Sequence, residues 1–125
     1  MSSILVVDDD PVQLADLKLA AEASGRTVRA VKNHKEAVDL LSEKFDLIVT
    51  DLAMEDDDEA GFSVLRAARE RDQNCPVIIV TGRPSPARSR RAVELGAFDF
   101  VDRNARNVDV TRLLQHKITL ALHHR

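Results

Sequence analysis

Five polar residues stand at or just after the ends of short apolar runs and are of the types that phosphate and metal sites use. They are Asp8, Asp9, Asp51, Thr81 and Arg103. Carboxylates that lie close together repel one another unless a cation joins them, and a set of oxygen ligands suits Mg²⁺. A carboxylate can also attack phosphorus and carry the phosphoryl group, while a hydroxyl and a cation bind its oxygens. If the fold brings these residues together, they predict a Mg²⁺-dependent phosphoryl site.

Each of these residues has an ordinary explanation when it is considered alone. Paired aspartates after an apolar run often precede a helix, and a lone Asp or Thr at the end of a strand is common. An arginine is most often a solvated surface residue. Their joint occurrence, in order, at the ends of four different apolar runs is what indicates a shared site. Such a site requires that the runs end at the same edge of one sheet.

Short apolar runs predict the five strands that would position these residues. Amphipathic segments separate the runs, so the chain contains five strand–helix units. Because a strand–helix–strand crossover joins parallel strands, this order predicts an α/β fold with a parallel sheet and helices on both faces. Ligands bind such sheets beyond the carboxyl ends of the strands, where the candidate residues stand. The predicted strands are Ile4–Val7, Thr27–Val31, Phe45–Thr50, Pro76–Val80 and Phe98–Val101.

Residues with capping preferences mark the starts of the predicted helices. Asp10 with Gln13, and Asn33 with Glu36, match the capping box, in which two side chains bond each other's backbone N–H groups. The third helix is predicted from the spacing of Phe62, Leu65 and Ala68; the fourth begins at Ser85-Pro86 and stops at Gly96; the last begins at about Asn107.

Length and composition are those of one globular domain, which we expect to occupy residues 1–125. The chain has 125 residues, of which 44% are hydrophobic and 31% charged. Its longest apolar run is far shorter than the ~20 residues of a membrane span, and its first residues do not match a signal peptide. We therefore expect a cytoplasmic protein without a membrane partner. Because Trp and Tyr are absent, no stacking platform for nucleic acid bases is predicted.

The strand-end motifs resemble those of the response regulator receiver domain, the switch module of two-component signalling, over essentially the whole chain. The resemblance implies a flavodoxin-like, doubly wound α/β fold with five parallel strands in the order 2-1-3-4-5. The motifs that carry it are Ile4-Leu-Val-Val-Asp8-Asp9, Leu47-Ile-Val-Thr-Asp51-Leu-Ala-Met54, Val77-Ile-Ile-Val-Thr81-Gly82 and Gly96-Ala-Phe-Asp-Phe100.

The resemblance also implies a role for each residue of the site. Asp51 would accept the phosphoryl group and become a 4-aspartylphosphate. Asp8 and Asp9, together with Asp51 and the backbone carbonyl of Ala53, would hold Mg²⁺. Thr81 would be the switch hydroxyl. The aromatic ring that changes rotamer with this hydroxyl would be Phe100, and the family's lysine position is taken by Arg103.

The implied protein is a phosphoacceptor switch rather than an enzyme, with at most self-phosphorylation and self-dephosphorylation. A sensor histidine kinase or a phosphotransfer protein would supply the phosphoryl group. The surface formed by helix four, strand five and helix five would pass the signal to an output domain or an effector, and could also form a homodimer. The last helix reaches Arg125 without a Gly or Pro stop, so we expect an output domain beyond this chain.

Three departures from the family pattern bear on the site. Where the family has lysine followed by proline, this chain has Arg103 and Asn104. Arginine keeps the charge but is bulkier and planar, so this exchange is not conservative. The loop Met54–Gly61 is two residues longer than usual, acidic and without proline. After the switch hydroxyl, Gly82 and Arg83 replace the usual small residue and its variable neighbour.

Two other classes of function fit parts of the sequence. A receiver-like module could signal by protein binding without being phosphorylated. The segment Ile4–Val12 also fits the first motif of haloacid-dehalogenase-type phosphatases, with Asp8 as nucleophile and Asp10 as acid/base. That superfamily needs a later lysine and an acidic pair that this chain lacks. A flavodoxin-like FMN protein would need a Ser/Thr-rich phosphate loop and aromatic rings beside the flavin, which are also missing.

Overall fold

The computed structural model describes residues 3–54 and 57–124, and at residue 124 only the backbone. Five parallel strands form one sheet in the order β2-β1-β3-β4-β5, which confirms the predicted order and α/β class. The strands are β1 Ser3–Val7, β2 Thr27–Val31, β3 Leu47–Asp51, β4 Val77–Thr81 and β5 Asp99–Asp102. The helices are α1 Pro11–Glu22, α2 His34–Leu40, α3 Ala60–Arg71, α4 Pro86–Glu94 and α5 Val110–His124.

Helices cover both faces of the sheet. One apolar cluster joins the sheet to α2, α3 and α4, and the other joins it to α1 and α5. All residues of β3 and β4 are buried, whereas β2, at the edge, is partly exposed. A strand buried on both faces needs apolar side chains in both directions, which explains the continuous apolar runs of the sequence.

Side-chain caps begin three helices at the positions that the sequence predicts. Asp10 accepts hydrogen bonds from the backbone N–H groups of Val12 and Gln13 at 2.8 and 3.1 Å. Asn33 caps α2 in the same way, and Ser85 caps α4. These caps satisfy N–H groups that the first turn of a helix otherwise leaves unpaired.

The capping box predicted for α1 is wrong in its second half. In that motif the side chain of Gln13 would accept from the N–H of Asp10. Here that N–H donates to Asp8 Oδ1 at 3.0 Å, and Gln13 Oε1 accepts from Arg103 instead. The glutamine therefore faces the carboxyl edge of the sheet, where the candidate residues lie.

Two predicted boundaries shift by more than one residue, and the other strand ends lie within one residue of their predicted positions. β3 begins at Leu47 rather than Phe45, because its pairing with β1 begins at Leu47. Phe45 precedes the strand and packs into the apolar cluster that includes α2 and α3. α5 begins at Val110 rather than near Asn107, since Asn107 takes a left-handed φ of 60°. Asp109, which precedes the helix, accepts from the N–H of Arg112 and so acts as its cap. Within residues 3–54 and 57–124, no helix is both long and apolar enough to cross a membrane.

The start of α3 lies directly against the end of β3, and Gly61 makes this close approach possible. A Cβ atom at Gly61 would lie 2.5 Å from the backbone oxygen of Asp51 and 2.9 Å from Leu52 Cα. The Gly61 N–H donates to the Leu52 carbonyl at 2.8 Å. Because both obstructing atoms belong to the backbone, a side chain here can be accommodated only by moving β3 or α3.

Gly61→Ala is therefore expected to lower the free energy of unfolding by roughly 1–3 kcal/mol, the usual cost of an overpacked site. Urea denaturation followed by circular dichroism measures this. Gly82→Ala is the matched control, because a Cβ there meets only the side-chain amide of Asn104, at 3.1 Å, which can move aside. Equal stabilities of the two variants would contradict the close approach at Gly61.

Candidate functional site

The carboxyl edge of the sheet brings three aspartates together, as the strand-end pattern predicts. One carboxylate oxygen from each of Asp8, Asp9 and Asp51 lies within 4.8 Å of the others. Asp8 is fully buried and Asp51 is 6% exposed, whereas Asp9 is open to solvent. A cluster of this kind offers a hard divalent cation both oxygen ligands and compensating charge, so the residues present fit Mg²⁺.

The burial of the two inner aspartates disfavours their charged forms. The pKa of Asp51 is raised to about 7, first by burial and then by the neighbouring charge of Asp8, against the opposing effects of Arg103 and the Leu52 N–H. Burial likewise raises the pKa of Asp8, while its hydrogen bonds to Asp10 and Arg103 act in the other direction. The ionised form of Asp51 is therefore electrostatically disfavoured in this site, and a bound cation would stabilise it.

Arg103 reaches this cluster from the loop after β5. Its backbone N–H donates to the carbonyl of Thr81 at 2.8 Å. Its guanidinium forms two hydrogen bonds, one from Nη2 to Asp8 Oδ2 at 2.9 Å and one from Nη1 to Gln13 Oε1. Arg103 therefore lies at the site, as its place after β5 predicts, but it pairs with Asp8 and Gln13. Sequence reasoning assigned Gln13 to a helix cap and missed this contact.

The residue after Arg103 ties two loops together. Asn104 Nδ2 donates to the carbonyl of Gly82 at 3.0 Å, and the backbone N–H of Asn104 donates to Asp102 Oδ1 at 2.8 Å. The first bond connects the loop after β5 to the loop after β4. The asparagine that replaces the family's proline thus adds a contact that proline, without a side-chain amide, cannot make.

Thr81 and Phe100 lie on the predicted strands but differ in their surroundings. Thr81 is 2% exposed, and its hydroxyl oxygen accepts from the Arg83 backbone N–H at 3.0 Å. Phe100 is half-buried and packs against the apolar cluster of α2, α3 and α4. Ala53 is half-buried in the loop after β3. The switch roles of Thr81 and Phe100, and the metal-binding role of the Ala53 carbonyl, stay predictions.

The acidic loop after β3 is described only in part, because Glu55 and Asp56 lie outside the described residues. Around them, the backbones of Met54 and Asp57 bond each other in both directions, at 3.0 and 2.9 Å. Further along, Glu59 lies 3.8 Å from Arg88 of α4 in an ion pair. The loop is therefore closed on itself between Met54 and Asp57 and contacts α4 through Glu59.

Comparison with known proteins identifies the family. A family model described as "Response regulator receiver domain" matches residues 4–115. The chain belongs to this family. Over 119 residues it is 32% identical to the two-component response regulator ORR3 of rice, Oryza sativa, covering 92% of this receiver and 89% of that protein. It is also 36% identical over 101 residues to the transcriptional regulatory protein CpxR of Escherichia coli, covering 81% of this receiver and 42% of CpxR.

Solved structures agree on the fold. The signal receiver domain of a signal transduction histidine kinase from Syntrophus aciditrophicus matches this receiver with a TM-score of 0.80 and 30% identity, over 99% of this chain and 92% of the other. A response regulator receiver domain protein from Clostridium thermocellum matches with a TM-score of 0.83 and 24% identity, over 99% and 96% of the two chains. Receiver domains are signalling switches rather than conventional enzymes.

The haloacid-dehalogenase-type alternative loses support from this comparison and from the geometry. Asp10, the acid/base of a haloacid-dehalogenase-type site, uses its carboxylate to cap α1, so the arrangement does not favour proton transfer to a leaving group. Instead, Asp10 supports Asp8 through its backbone N–H. Neither observation separates a phosphorylated receiver from one that signals by binding alone.

The raised pKa of Asp51 predicts how stability depends on pH. The unfolded chain loses the Asp51 proton near the ordinary value of 3.8, whereas the folded chain keeps it until about 7. The free energy of unfolding therefore falls as pH rises across this window. Without divalent metal, Asp51→Asn should be more stable than the wild type by on the order of 3 kcal/mol at about pH 8 and nearly equal to it at about pH 4.

Urea denaturation in EDTA at both pH values measures this difference. Asp39→Asn, at an exposed position on α2, controls for the loss of one negative charge. A stability gain for Asp51→Asn that is the same at both pH values would show that Asp51 does not carry the penalty.

Proposed function

We propose that this receiver is a phosphorylation-dependent switch of a two-component system, in which Asp51 accepts a phosphoryl group in a Mg²⁺-dependent reaction. The observation that carries this proposal is the three-carboxylate cluster, in which Asp8 and Asp51 are buried and Arg103 pairs with Asp8. Buried like charges destabilise a fold. A bound cation, and a reaction that uses the carboxylates, best explain why the buried carboxylates are present in this fold.

In the transfer, an Asp51 oxygen forms a bond to phosphorus as the bond between phosphorus and the donor's leaving group breaks. The electron pair of the broken bond leaves with the donor, which for a histidine kinase is an imidazole nitrogen. Asp8, Asp9, Asp51 and the Ala53 carbonyl would hold Mg²⁺, and the bound ion would supply positive charge that favours ionised Asp51 and the incoming phosphoryl oxygens. Asp8 and Asp9 would therefore act as metal ligands, and Asp51 would act both as a ligand and as the nucleophile.

The remaining groups would bind the phosphoryl oxygens and report the transfer. The Thr81 hydroxyl can donate to one oxygen, and the Arg103 guanidinium can bind another. Because the Thr81 oxygen also accepts from Arg83, a shift of Thr81 moves the loop that leads into α4. Phe100 lies on β5 beside this region, where a change of rotamer would reshape the surface of α4, β5 and α5.

We further propose that a sensor histidine kinase or phosphotransfer protein in the cytoplasm is the donor, and that the α4-β5-α5 surface acts on an output domain or effector or forms a homodimer. CpxR, whose name describes a transcriptional regulator, extends well beyond the part that matches this chain. This relation supports an output domain outside residues 1–125. No role in nucleic acid or membrane binding is proposed for the receiver domain itself.

The competing function is a receiver that signals by binding alone. The replacement of the family's lysine by Arg103, and the pairing of that arginine with Asp8, are the observations that favour it. A guanidinium fixed on Asp8 could block the cation from the site. Direct phosphorylation separates the two functions.

Incubation with Mg²⁺ and acetyl phosphate or phosphoramidate should add one phosphoryl group, seen by intact mass spectrometry and lost in acid or hydroxylamine. Asp51→Asn should abolish the addition, because it removes the nucleophile and leaves the fold intact. Asp57→Asn, in the acidic loop, is a control that should leave the addition unchanged. Wild-type protein that stays unmodified with every donor, or modification that persists in Asp51→Asn, would contradict the proposal.

Mg²⁺ should raise the melting temperature, because a ligand that binds only the native state stabilises it. Asp9→Ala should remove this response while the protein stays folded, since it takes away one ligand at an exposed position. Differential scanning fluorimetry with an added dye measures both. Asp39→Ala, at an exposed position on α2, is the control. The same Mg²⁺ response in wild type and Asp9→Ala would place the ion elsewhere.

A further inference from the structure

The guanidinium of Arg103 is held between acceptors from two different elements. Asp8 directly follows β1, and Gln13 lies in the first turn of α1. Nη2 bonds the aspartate at 2.9 Å, and Nη1 bonds the glutamine. A guanidinium offers donors in a fixed planar fork, so two acceptors determine its orientation where one would leave it free to turn.

The space around the arginine shows that apolar packing alone does not hold it there. A cavity of about 210 Å³ between α1 and α5 is lined by Arg103 and Gln13 together with Leu17, Val80 and Leu114. The Arg103 side chain is 17% exposed. A side chain that borders open space can take other rotamers, and its hydrogen-bond partners then decide which one it adopts.

The Gln13 side chain can bind Arg103 because the hydrogen bonds expected of it in a capping box are made by other groups. Asp8 Oδ1 accepts the N–H of Asp10, which the side chain of Gln13 would take in a capping box. The Asp10 carboxylate caps the first turn by itself. The Gln13 amide oxygen therefore points to the arginine.

We propose that Gln13 is a positioning residue that holds the Arg103 guanidinium on Asp8, so that this arginine competes with Mg²⁺ for the Asp8 carboxylate. The biological meaning of this competition rests on the proposed function. The Mg²⁺ affinity that it controls can be measured without phosphorylation.

The competition follows from charge and from the chemistry of arginine. Asp8 has one oxygen bonded to the Asp10 N–H and the other to the guanidinium, so a cation at this carboxylate meets a neighbouring positive charge. Arginine does not lose its proton in the accessible pH range. The Arg103 guanidinium can therefore release Asp8 only by moving away from it. Anything that weakens its hold on Asp8 should therefore strengthen Mg²⁺ binding.

Isothermal titration with Mg²⁺ tests this competition in four proteins: wild type, Gln13→Leu, Arg103→Met and the double variant. Gln13→Leu should raise the affinity by roughly threefold to tenfold, the range expected when one net hydrogen bond no longer holds the competitor. Arg103→Met should raise it by at least about tenfold, because a unit charge beside the ion is removed. In the Arg103→Met background, Gln13→Leu should have no further effect, since the group that it positions is gone.

Gln73→Leu is the matched control, because Gln73 is exposed and accepts its hydrogen bond from Arg69 with the backbone carbonyl rather than with the side chain. This variant should bind Mg²⁺ as the wild type does. Circular dichroism confirms that each variant is folded before titration. Variants that bind Mg²⁺ when the wild type does not would also support the competition, as its extreme case.

Three results would overturn the inference: a Gln13→Leu affinity equal to or below that of the wild type, the same gain in both arginine and methionine backgrounds, or no Mg²⁺ binding in any of the four proteins. Failure of phosphorylation would not do so. If acetyl phosphate leaves Asp51 unmodified while the titrations show the expected non-additivity, the phosphoryl switch is wrong and the role of Gln13 stands.

Discussion

The electrostatic cost of burying two carboxylates side by side is the constraint on which the rest of this structure depends. Asp8 directly follows β1 and Asp51 ends the neighbouring strand β3, and both are almost completely shielded from water. Their repulsion and desolvation must be offset by the apolar clusters on both faces and by the positive charge of Arg103. A cation bound beside these carboxylates would offset the same cost.

The site lies close to the loops that follow β4 and β5. The loops after β4 and β5 both touch the site, through Thr81 and Arg103. The bond between Asn104 and Gly82 links these loops to each other. In this receiver Asn104 stands where the family has proline, and its side-chain amide joins the loops after β4 and β5 by a hydrogen bond.

Much of this arrangement follows from local sequence pattern. The strands are continuous apolar runs because both faces of the sheet are covered, and the caps at Asp10, Asn33 and Ser85 are local hydrogen bonds whose partners lie two or three residues away. The order of the units, with the rule that crossovers join parallel strands, places Asp51 and Thr81 at one edge. Each of these features depends on neighbours in the chain, which a sequence displays directly.

Other features were decided only by the tertiary structure, because they depend on residues far apart in the chain. Gln13 and Arg103 are 90 positions apart, and their contact replaces the helix cap that the local pattern indicates. The raised pKa of Asp51 comes from burial and from Asp8, neither of which spacing can measure. Likewise, the pairing of β1 with β3 begins at Leu47, which places Phe45 before the strand. Local sequence pattern predicted the strand ends at which the candidate residues stand, whereas long-range packing and charge decided how those residues pair.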